Sequence, residues 1–329
     1  METHVREIAT RLVNQGHEVS VFSADAGSDV SSSECDDGVR IRRFRSCSPG
    51  DAFYIAPQLV RAIRQAEADI VHAHNYHAVP VLFAALGVSD ERFVVTTHYH
   101  GGSASPIRDR LLSLYRPIGR WAVKQADDVI AVSEWEREQL RKDFGVEATV
   151  IPNGLNVDRF VNAEPEERER PYLLCVGRLE EYKGIQHVIR ALPELPQYEL
   201  VVAGTGPYRE VLVQMARTER VADRVEFLDF VDDERLSRLY AGADVYITLS
   251  EFEAYGMTVA EALATGTPCV VNANTALEEW TVTQGVVGIT DLKSEVIVES
   301  VRQAHEQSVL KQPPTWSQTV ENLINIYAR

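Results

Sequence analysis

The chain has 329 residues, 45% of them hydrophobic and 25% charged, which is typical of a folded protein with about two domains of roughly 100–200 residues each. Its 33 Lys and Arg against 49 Asp and Glu give a net charge of −16, which argues against general nucleic-acid binding because that function needs a basic surface. Its longest apolar runs, such as 79–88, are far shorter than the roughly 20 residues of a membrane-spanning helix.

Strands and helices are predicted to alternate through residues 1–163, which form the first domain. An apolar stripe from residue 5 to residue 13 predicts a helix that Gly16 ends. Apolar strands are predicted after it at 18–23, 39–44, 69–73, 93–97, 128–132 and 149–151, with helices at 53–67, 79–86, 107–125 and 134–144. This alternation predicts a mostly parallel sheet with helices on both faces.

A second α/β series is predicted over residues 164–312, after a charged linker at 164–170. Its strands are predicted at 172–176, 199–203, 225–227, 245–249 and 269–272, and its helices at 185–192, 208–217, 234–241 and 257–264. A last helix, at 317–328 within 313–329, is predicted to pack back on the first domain. The sequence therefore predicts an α/β fold with two doubly wound, Rossmann-like domains whose strand ends face each other across a cleft, where such folds bind ligands.

The chain opens on a helix, with no strand before it. The first strand of a doubly wound sheet is usually central, so omitting it leaves unpaired edges inside the sheet. This favours a true start upstream of Met1, or a fragment. The alternative is a domain that begins with a helix.

The most specific segment spans residues 250–268, SEFEAYGMTVAEALATGTP. Glu253 is predicted on a loop after a strand, Gly256 permits a tight turn into a helix, and Glu261 lies two turns along that helix. The start of the helix offers free amides to an anion, and two carboxylates beside it are suited to hold the hydroxyls of a ribose and a sugar. The alternative, a capped surface helix with solvated glutamates, is disfavoured by the flanking apolar residues.

Two cations follow the predicted strand at 172–176. Arg178 comes directly after it, and Lys183 lies five residues further on, before a helix. Two fixed cations at a strand end, in so acidic a protein, favour a diphosphate clamp over surface salt bridges with Glu180 and Glu181.

A glycine-containing turn, AGTGP at 203–207, adds a close backbone approach at Gly204. It is not a dinucleotide-binding fingerprint, because Arg209 stands where G-x-G-x-x-G requires glycine. Nicotinamide chemistry is therefore disfavoured.

His72, His74 and His77 are of a residue type that binds metals. Period-two spacing places His72 and His74 on one face of a strand, but no cysteine lies near them to complete a site. Lining a cleft is favoured over binding zinc, so no metal site and no metal cofactor are predicted.

Arginine supplies most of the basic residues, and lysine is scarce. Acid-rich, lysine-poor surfaces suit a salt-rich cytoplasm, so a halophilic source is one hypothesis and an ordinary acidic enzyme is the other. Loss of folding below molar salt would support the first, and indifference to salt would exclude it. The scattered cysteines indicate neither a zinc site nor a disulfide framework, so a cytoplasmic location is the default.

In their order and spacing these segments resemble the retaining family 4 glycosyltransferases of the GT-B fold, over nearly the whole chain. The residues that carry the resemblance are 2–7 (ETHVRE), 132–134 (VSE), 151–154 (IPNG) with Asp158 and Phe160, 177–179 (GRL), 183–184 (KG), 239–240 (LY), 243–244 (AD), Glu253, and 261–262 (EA). The resemblance implies transfer of a hexosyl group from a nucleotide-sugar to an acceptor hydroxyl with retention of configuration, without a metal ion or other cofactor.

The resemblance also implies roles for matching positions. Arg178 and Lys183 would bind the donor diphosphate and stabilise it as it leaves. Glu261 would hold the ribose hydroxyls, and Glu253 the hydroxyls of the transferred sugar. His98, at the end of VVTTH, would lie beside that sugar. The other positions implied at the donor site are Gly177, Gly204, Gly256, Met257 and Thr258, with Phe230 and Val231 against the base.

The sequence departs from the family at three places. The usual first strand and its glycine-rich loop are absent, Ala254 replaces a glycine after the first glutamate, and NANTA at 272–276 replaces a turn that usually contains Gly-Gly.

Residues 107–124, IRDRLLSLYRPIGRWAVK, hold five cations and one anion beside Leu, Tyr and Trp. Such a segment suits an anionic membrane surface, so a lipid-linked or membrane-proximal acceptor and peripheral contact with the inner face of the membrane are hypothesised. A core helix with a solvated, Arg-rich face is the favoured alternative, and Pro117 argues against one continuous amphipathic helix.

These features predict a cytoplasmic, metal-independent, retaining glycosyltransferase with a nucleotide-sugar donor. The alternative is a non-catalytic or degenerate nucleotide-sugar-binding or partner subunit, because the N-terminus is incomplete by comparison with the family. A hydride-transfer enzyme is a distant third, opposed by the glycine pattern.

Overall fold

The structure, a computed structural model, describes residues 2–25, 32–47, 54–77, 79–102, 106–309 and 313–329, and only the backbone of 106–108. The chain divides into two compact units. The N-terminal unit consists of Met1–Gly154 with Trp316–Arg329, and the C-terminal unit of Leu155–Thr315. Both are built from strands and helices in alternation, as the sequence predicts.

The described part of the N-terminal unit contains six helices and seven strands. The helices are α1 (Glu2–Asn14), α2 (Gln58–Arg64), α3 (Pro80–Gly87), α4 (Pro106–Val123), α5 (Glu134–Phe144) and α12 (Trp316–Tyr327). The strands are β1 (Ser20–Asp25), β2 (Ser33–Asp36), β3 (Val39–Arg45), β4 (Ile70–His74), β5 (Arg92–Thr96), β6 (Asp128–Ala131) and β7 (Thr149–Val150). Helix α2 begins later than predicted, and the first residue of the predicted helix, Phe53, lies outside the described residues.

These strands form two sheets. One is parallel, in the order β4-β5-β6-β7, and the other has the order β1-β3-β2 with β2 antiparallel to β3. Strand β2 was not predicted because its sequence, SECD, lacks apolar alternation. A signal was nevertheless present in the Asp37-Gly38 turn, where both residues have positive φ, as a type I′ hairpin turn requires.

Helix α12 closes the core of the N-terminal unit. Its Trp316, Val320 and Leu323 pack with Ile8 and Leu12 of α1 in one buried cluster. The Thr319 hydroxyl donates a 2.9 Å hydrogen bond to the Pro152 carbonyl, which fixes the helix against the strand end.

Of two expectations about residues 107–124, one was wrong and the other holds only in part. Helix α4 runs without interruption through Pro117. Pro117 and Ser113, whose carbonyl loses its helical partner, both face water, so solvent can satisfy that carbonyl. The helix does bury one side in the core, where Ala122 and Val123 are fully buried, but a second apolar stripe of Leu111, Leu114, Ile118 and Trp121 is 43–72% exposed.

The C-terminal unit is doubly wound. Its helices are α6 (Val157–Val161), α7 (Ile185–Ala191), α8 (Arg209–Thr218), α9 (Asp233–Gly242), α10 (Met257–Ala264) and α11 (Ser294–His305). Its strands are β8 (Tyr172–Val176), β9 (Glu199–Ala203), β10 (Val225–Asp229), β11 (Val245–Thr248), β12 (Cys269–Asn272) and β13 (Val286–Ile289). All six strands are parallel, in the order β10-β9-β8-β11-β12-β13, so the winding reverses between β8 and β11.

The sequence missed the five-residue helix α6, strand β13 and helix α11. Strand β13 contains Gly288, which weakens its strand pattern, and α11 contains the β-branched run of Val296, Ile297 and Val298, which is more typical of a strand than of a helix. Tertiary packing overrides this preference, since Ile297 and Val298 are buried in the main apolar cluster of the unit.

Candidate functional site

The parallel sheet of the C-terminal unit brings most of the predicted site residues to one edge, because the carboxyl ends of its strands all lie there. Gly177 and Arg178 follow β8, Gly204 follows β9, Phe230 and Val231 follow β10, and Glu253 lies in the loop after β11. This edge includes the reversal between β8 and β11, which is where doubly wound sheets bind ligands.

Glycine is required where the loops after β8 and β9 meet. Gly177 and Gly204 have φ values of +140° and +138°, and a Cβ on Gly204 would lie 2.0 Å from the Gly177 carbonyl oxygen. The Leu179 amide donates a 2.8 Å hydrogen bond to the Thr205 carbonyl, so the two loops are tied backbone to backbone. Glycine at 204 is therefore required by the close contact between the two loops, whereas the space beside Gly177 is open.

Lys183 and Glu253 form an ion pair across the reversal. The Lys183 Nζ lies 2.6 Å from a Glu253 carboxylate oxygen, and each side chain is only about a fifth exposed. Burial lowers the pKa of Lys183, but attraction to the Glu253 carboxylate raises it by more, so the pKa of Lys183 lies above its ordinary value. The Glu251 amide also donates to the Tyr182 carbonyl at 2.8 Å, which joins the same two loops. A charged lysine and a carboxylate therefore lie together where the winding of the sheet reverses.

Arg178 is more loosely held than Lys183. Its side chain is 64% exposed, and its Nε lies 3.1 Å from a Glu180 carboxylate oxygen. Exposed ion pairs of this kind are worth about 0–1 kcal/mol, so the guanidinium can exchange Glu180 for another anion at little cost.

Helix α10 carries the second glutamate of the segment. Gly256 precedes it with φ of +91°, and a Cβ there would lie 2.4 Å from a Leu277 methyl carbon. Met257 and Thr258 form its first turn, whose amides have no acceptor within the helix. The half-buried carboxylate of Glu261 accepts a 2.9 Å hydrogen bond from the Tyr240 hydroxyl.

Burial raises the pKa of Glu261 to about 7, against the opposing effects of the Tyr240 hydrogen bond and the Arg159 charge. At neutral pH this carboxyl therefore exchanges its proton readily, unlike an ordinary surface glutamate.

Phe230 offers an aromatic ring at the same sheet edge. Its side chain is 84% exposed, and Asp229 before it has a φ of +55°, which turns the chain sharply out of β10. The Asp229 carbonyl accepts a 2.7 Å hydrogen bond from the Gly204 amide, so the turn is fixed to the loop after β9. A flat apolar surface of this kind suits stacking against a planar ligand group.

His98 belongs to the N-terminal unit, directly after β5. Its φ of +47° is left-handed, which is unusual for a residue other than glycine. Burial, reinforced by His4, lowers the pKa of His98 well below its ordinary value, so the ring is neutral at pH 7.

Glu136 holds the chain on both sides of His98, and sequence reasoning missed it. Its fully buried carboxylate accepts hydrogen bonds from the Thr97 hydroxyl, the Tyr99 amide and, at 2.6 Å, the Val132 amide. A signal was present, since Ser133 and Glu136 have the spacing of a capping box, and the Ser133 oxygen accepts from the Glu136 amide at 3.0 Å.

We expect Glu136→Gln to lower the free energy of unfolding by about 2 kcal/mol, because its amide group would point an N–H at a buried N–H donor. Urea unfolding measures this change. Glu138→Gln, on the exposed face of the same helix, is the control and should leave the midpoint nearly unchanged. Equal effects of the two substitutions would show that the buried hydrogen bonds contribute little.

The histidines in the N-terminal unit group differently from the expected set. His72 uses both ring nitrogens in hydrogen bonds, with the Tyr327 hydroxyl at 2.7 Å and the Thr96 hydroxyl at 2.8 Å. His77 instead stacks on His100, with the ring centres 4.0 Å apart. Among the described residues His74 approaches His4 and His98, and these three offer ligand nitrogens within 4.8 Å of one another.

Comparison with known proteins agrees with this architecture. The family model "Glycosyltransferase Family 4" matches residues 1–159, and the model "Glycosyl transferases group 1" matches residues 156–320. A glycogen synthase of Mycobacterium tuberculosis is 30% identical over 323 residues, which cover 87% of this chain and 77% of that protein. An alpha-monoglucosyldiacylglycerol synthase of Streptococcus pneumoniae is 28% identical over 308 residues, covering 83% of this chain and 67% of that protein.

Solved structures show the same fold. A sucrose-phosphate synthase from Thermosynechococcus elongatus has a TM-score of 0.80 at 19% identity and covers 99% of this chain and 92% of its own. HepE of Anabaena, solved in complex with UDP and glucose, has a TM-score of 0.75 at 17% identity and covers 99% of this chain and 95% of its own. The predicted fold class is confirmed, and the chain belongs to the family 4 glycosyltransferases, which are enzymes of the GT-B fold with two Rossmann-like domains.

Proposed function

We propose that this enzyme transfers a hexosyl group from a nucleoside-diphosphate sugar to an acceptor hydroxyl, with retention of configuration and without a metal ion. The observation that carries the proposal is the Lys183–Glu253 pair, with 2.6 Å between its charged atoms, at the reversal of the sheet. The cation suits a diphosphate and the carboxylate suits sugar hydroxyls, so one pair serves both halves of the donor. The names of the relatives, a glycogen synthase and a glucosyldiacylglycerol synthase, support sugar transfer.

Each of these residues binds the part of the donor that suits its chemistry. Lys183 and Arg178 attract the diphosphate, Glu253 accepts hydrogen bonds from hydroxyls of the transferred sugar, and Glu261 accepts from the ribose hydroxyls. The exposed ring of Phe230 stacks on the base. The amides of the first turn of α10 add donors for an anion near them.

In the reaction the bond between the sugar C1 and the diphosphate oxygen breaks, and its electron pair leaves with the diphosphate. Lys183 and Arg178 stabilise the negative charge that develops on that oxygen. The acceptor oxygen forms the new bond to C1 from the face that the diphosphate leaves, and its proton passes to the departing phosphate. Neither a metal ion nor a nucleophilic side chain of the enzyme takes part in the proposed reaction.

A thermal-shift panel of UDP, GDP, ADP and their sugar conjugates, in EDTA, tests the donor site. A nucleotide at 100 times its dissociation constant should add about 2.7 kcal/mol to the stability of the folded state and raise the melting temperature. Arg178→Ala should abolish this shift. Arg302→Ala is the matched control, since Arg302 is also an exposed arginine, 57% accessible and paired with Glu299. Absence of a shift with every nucleotide would overturn the proposal.

We propose further that the acceptor is lipid-linked or lies at a membrane surface. Helix α4 presents Leu111, Leu114, Ile118 and Trp121 to solvent along one stripe, at intervals of three or four residues. Arg110, Arg116, Arg120 and Lys124 are exposed in the same segment, which suits the anionic headgroups of a bilayer. No helix of the described chain has the length and apolarity to cross a membrane, so contact through α4 would be peripheral.

Liposome flotation tests this surface. The double substitution Leu114→Ser with Trp121→Ser should reduce binding to vesicles containing anionic phospholipid at least about tenfold, because each side chain contributes roughly 1.5–3 kcal/mol when its apolar area is buried. Val282→Ser is the control, since Val282 is 85% exposed but lies in the C-terminal unit. Binding that does not depend on anionic lipid, or that the double substitution leaves intact, would contradict the proposal.

A further inference from the structure

Three histidines from distant parts of the sequence converge in the N-terminal unit. His4 lies in the first turn of α1, His74 ends β4, and His98 follows β5. One ligand nitrogen from each lies within 4.8 Å of the other two. The His4 ring meets the other two edge-on, with its centre 5.3 Å from that of His74 and 4.8 Å from that of His98. The rings of His74 and His98 lie nearly parallel, with their centres 6.1 Å apart, and the His4 ring stands edge-on to both.

The state of these rings suits ligation. A neutral imidazole binds a metal ion through the lone pair of a ring nitrogen. Nδ1 of His74 and Nε2 of His98 are buried and have no hydrogen-bond partner among the described residues. A buried polar atom without a partner costs about 1–3 kcal/mol, a cost that a ligated ion would remove.

We propose that His4, His74 and His98 bind one divalent transition-metal ion, with zinc as the natural occupant. Three neutral imidazoles favour zinc, cobalt or nickel over magnesium or calcium, which prefer oxygen ligands. A zinc–nitrogen distance of about 2.0–2.1 Å with tetrahedral angles leaves a fourth position for water.

His72 is not part of this site, although its ring lies 4.1 Å from that of His74. Both of its nitrogens already have hydrogen-bond partners, so they are not available to an ion. The bound ion would tie α1 to the ends of β4 and β5 and so stabilise the N-terminal unit.

The site is tested by titrating the metal-free full-length protein with Co²⁺, read by visible absorption, and with Zn²⁺, read by calorimetry. We expect one ion per chain, with affinity reduced at least about tenfold in His74→Ala and in His98→Ala. His17→Ala is the control, because His17 is an exposed histidine of the same unit. Absence of binding, or binding that both substitutions leave unchanged, would overturn the proposal.

A measurement on the unaltered protein covers the case in which a substituted chain fails to fold. X-ray absorption of the zinc complex should show about three imidazole nitrogens, and Zn²⁺ should raise the melting temperature. A spectrum dominated by carboxylate oxygens would exclude the histidine site. None of these readouts involves a nucleotide or a sugar, so a failure of metal binding is distinguishable from a failure of the proposed transferase reaction.

Discussion

Lys183→Ala is expected to lower kcat for sugar transfer by about 100–1,000-fold, the effect of removing one preorganised group that stabilises charge on a leaving oxygen. KM for the donor should change much less, because Arg178 remains to attract the diphosphate. Steady-state kinetics with the donor that the thermal-shift panel identifies would measure both constants.

The loss of Lys183 also leaves Glu253 without its charged partner, which can disturb the fold. A buried charge without a partner costs about 1–3 kcal/mol or more, so Lys183→Ala should melt earlier than wild type. Adding Glu253→Gln should restore part of that stability without restoring kcat. Lys293→Ala is the matched control, since Lys293 also lies 2.6 Å from a carboxylate, that of Asp291, but is 72% exposed. Unchanged kcat in Lys183→Ala would remove this residue from the proposed mechanism.

Glu261→Gln is expected to stabilise the protein by about 3 kcal/mol at pH 8 and by almost nothing at pH 4. Folding raises the pKa of Glu261 from 4.5 to about 7, chiefly through burial. Between these values the folded state binds more protons than the unfolded chain, so the wild-type free energy of unfolding falls as pH rises from about 4.5 to 7 and then stays low. Each pKa unit corresponds to about 1.36 kcal/mol of this free energy. Glutamine does not ionise, so the free energy of unfolding of Glu261→Gln does not fall in this way.

Urea unfolding of wild type and Glu261→Gln across pH 4–8 would measure this difference. Glu278→Gln, which alters an exposed glutamate in the same unit, should parallel wild type throughout. A constant difference between Glu261→Gln and wild type over this range would show that the carboxyl at 261 is not perturbed by burial.

The local sequence pattern was sufficient to predict many of the strands and helices. The predicted strands at 172–176, 199–203 and 269–272 and the helices at 134–144 and 257–264 have the same bounds in the structure. Each consists of a compact apolar run or an amphipathic stripe with a distinct start or stop, such as Ser133 before α5 and Gly145 after it. Where the local signal was weak or contrary, as in β2, β13 and α11, tertiary pairing and packing decided the structure.

The sequence alone determined the family resemblance, the two α/β series and the strand ends that carry Arg178, Gly204 and Glu253. It did so because the chemistry of these loops and the periodicity of the strands before them are local properties. Which strands became neighbours is not local. The order of the sheet decided that the loops after β8 and β11 meet, and so joined Lys183 to Glu253.

Tertiary structure alone also decided the surroundings of the buried ionisable groups. The Tyr240 hydroxyl at Glu261, the three donors at Glu136 and the convergence of His4, His74 and His98 all join residues from different elements. Their protonation depends on burial and on neighbours that the chain supplies only when it folds. For this protein the sequence determines which functional groups are present, and the packing within each unit sets the charge that each group carries.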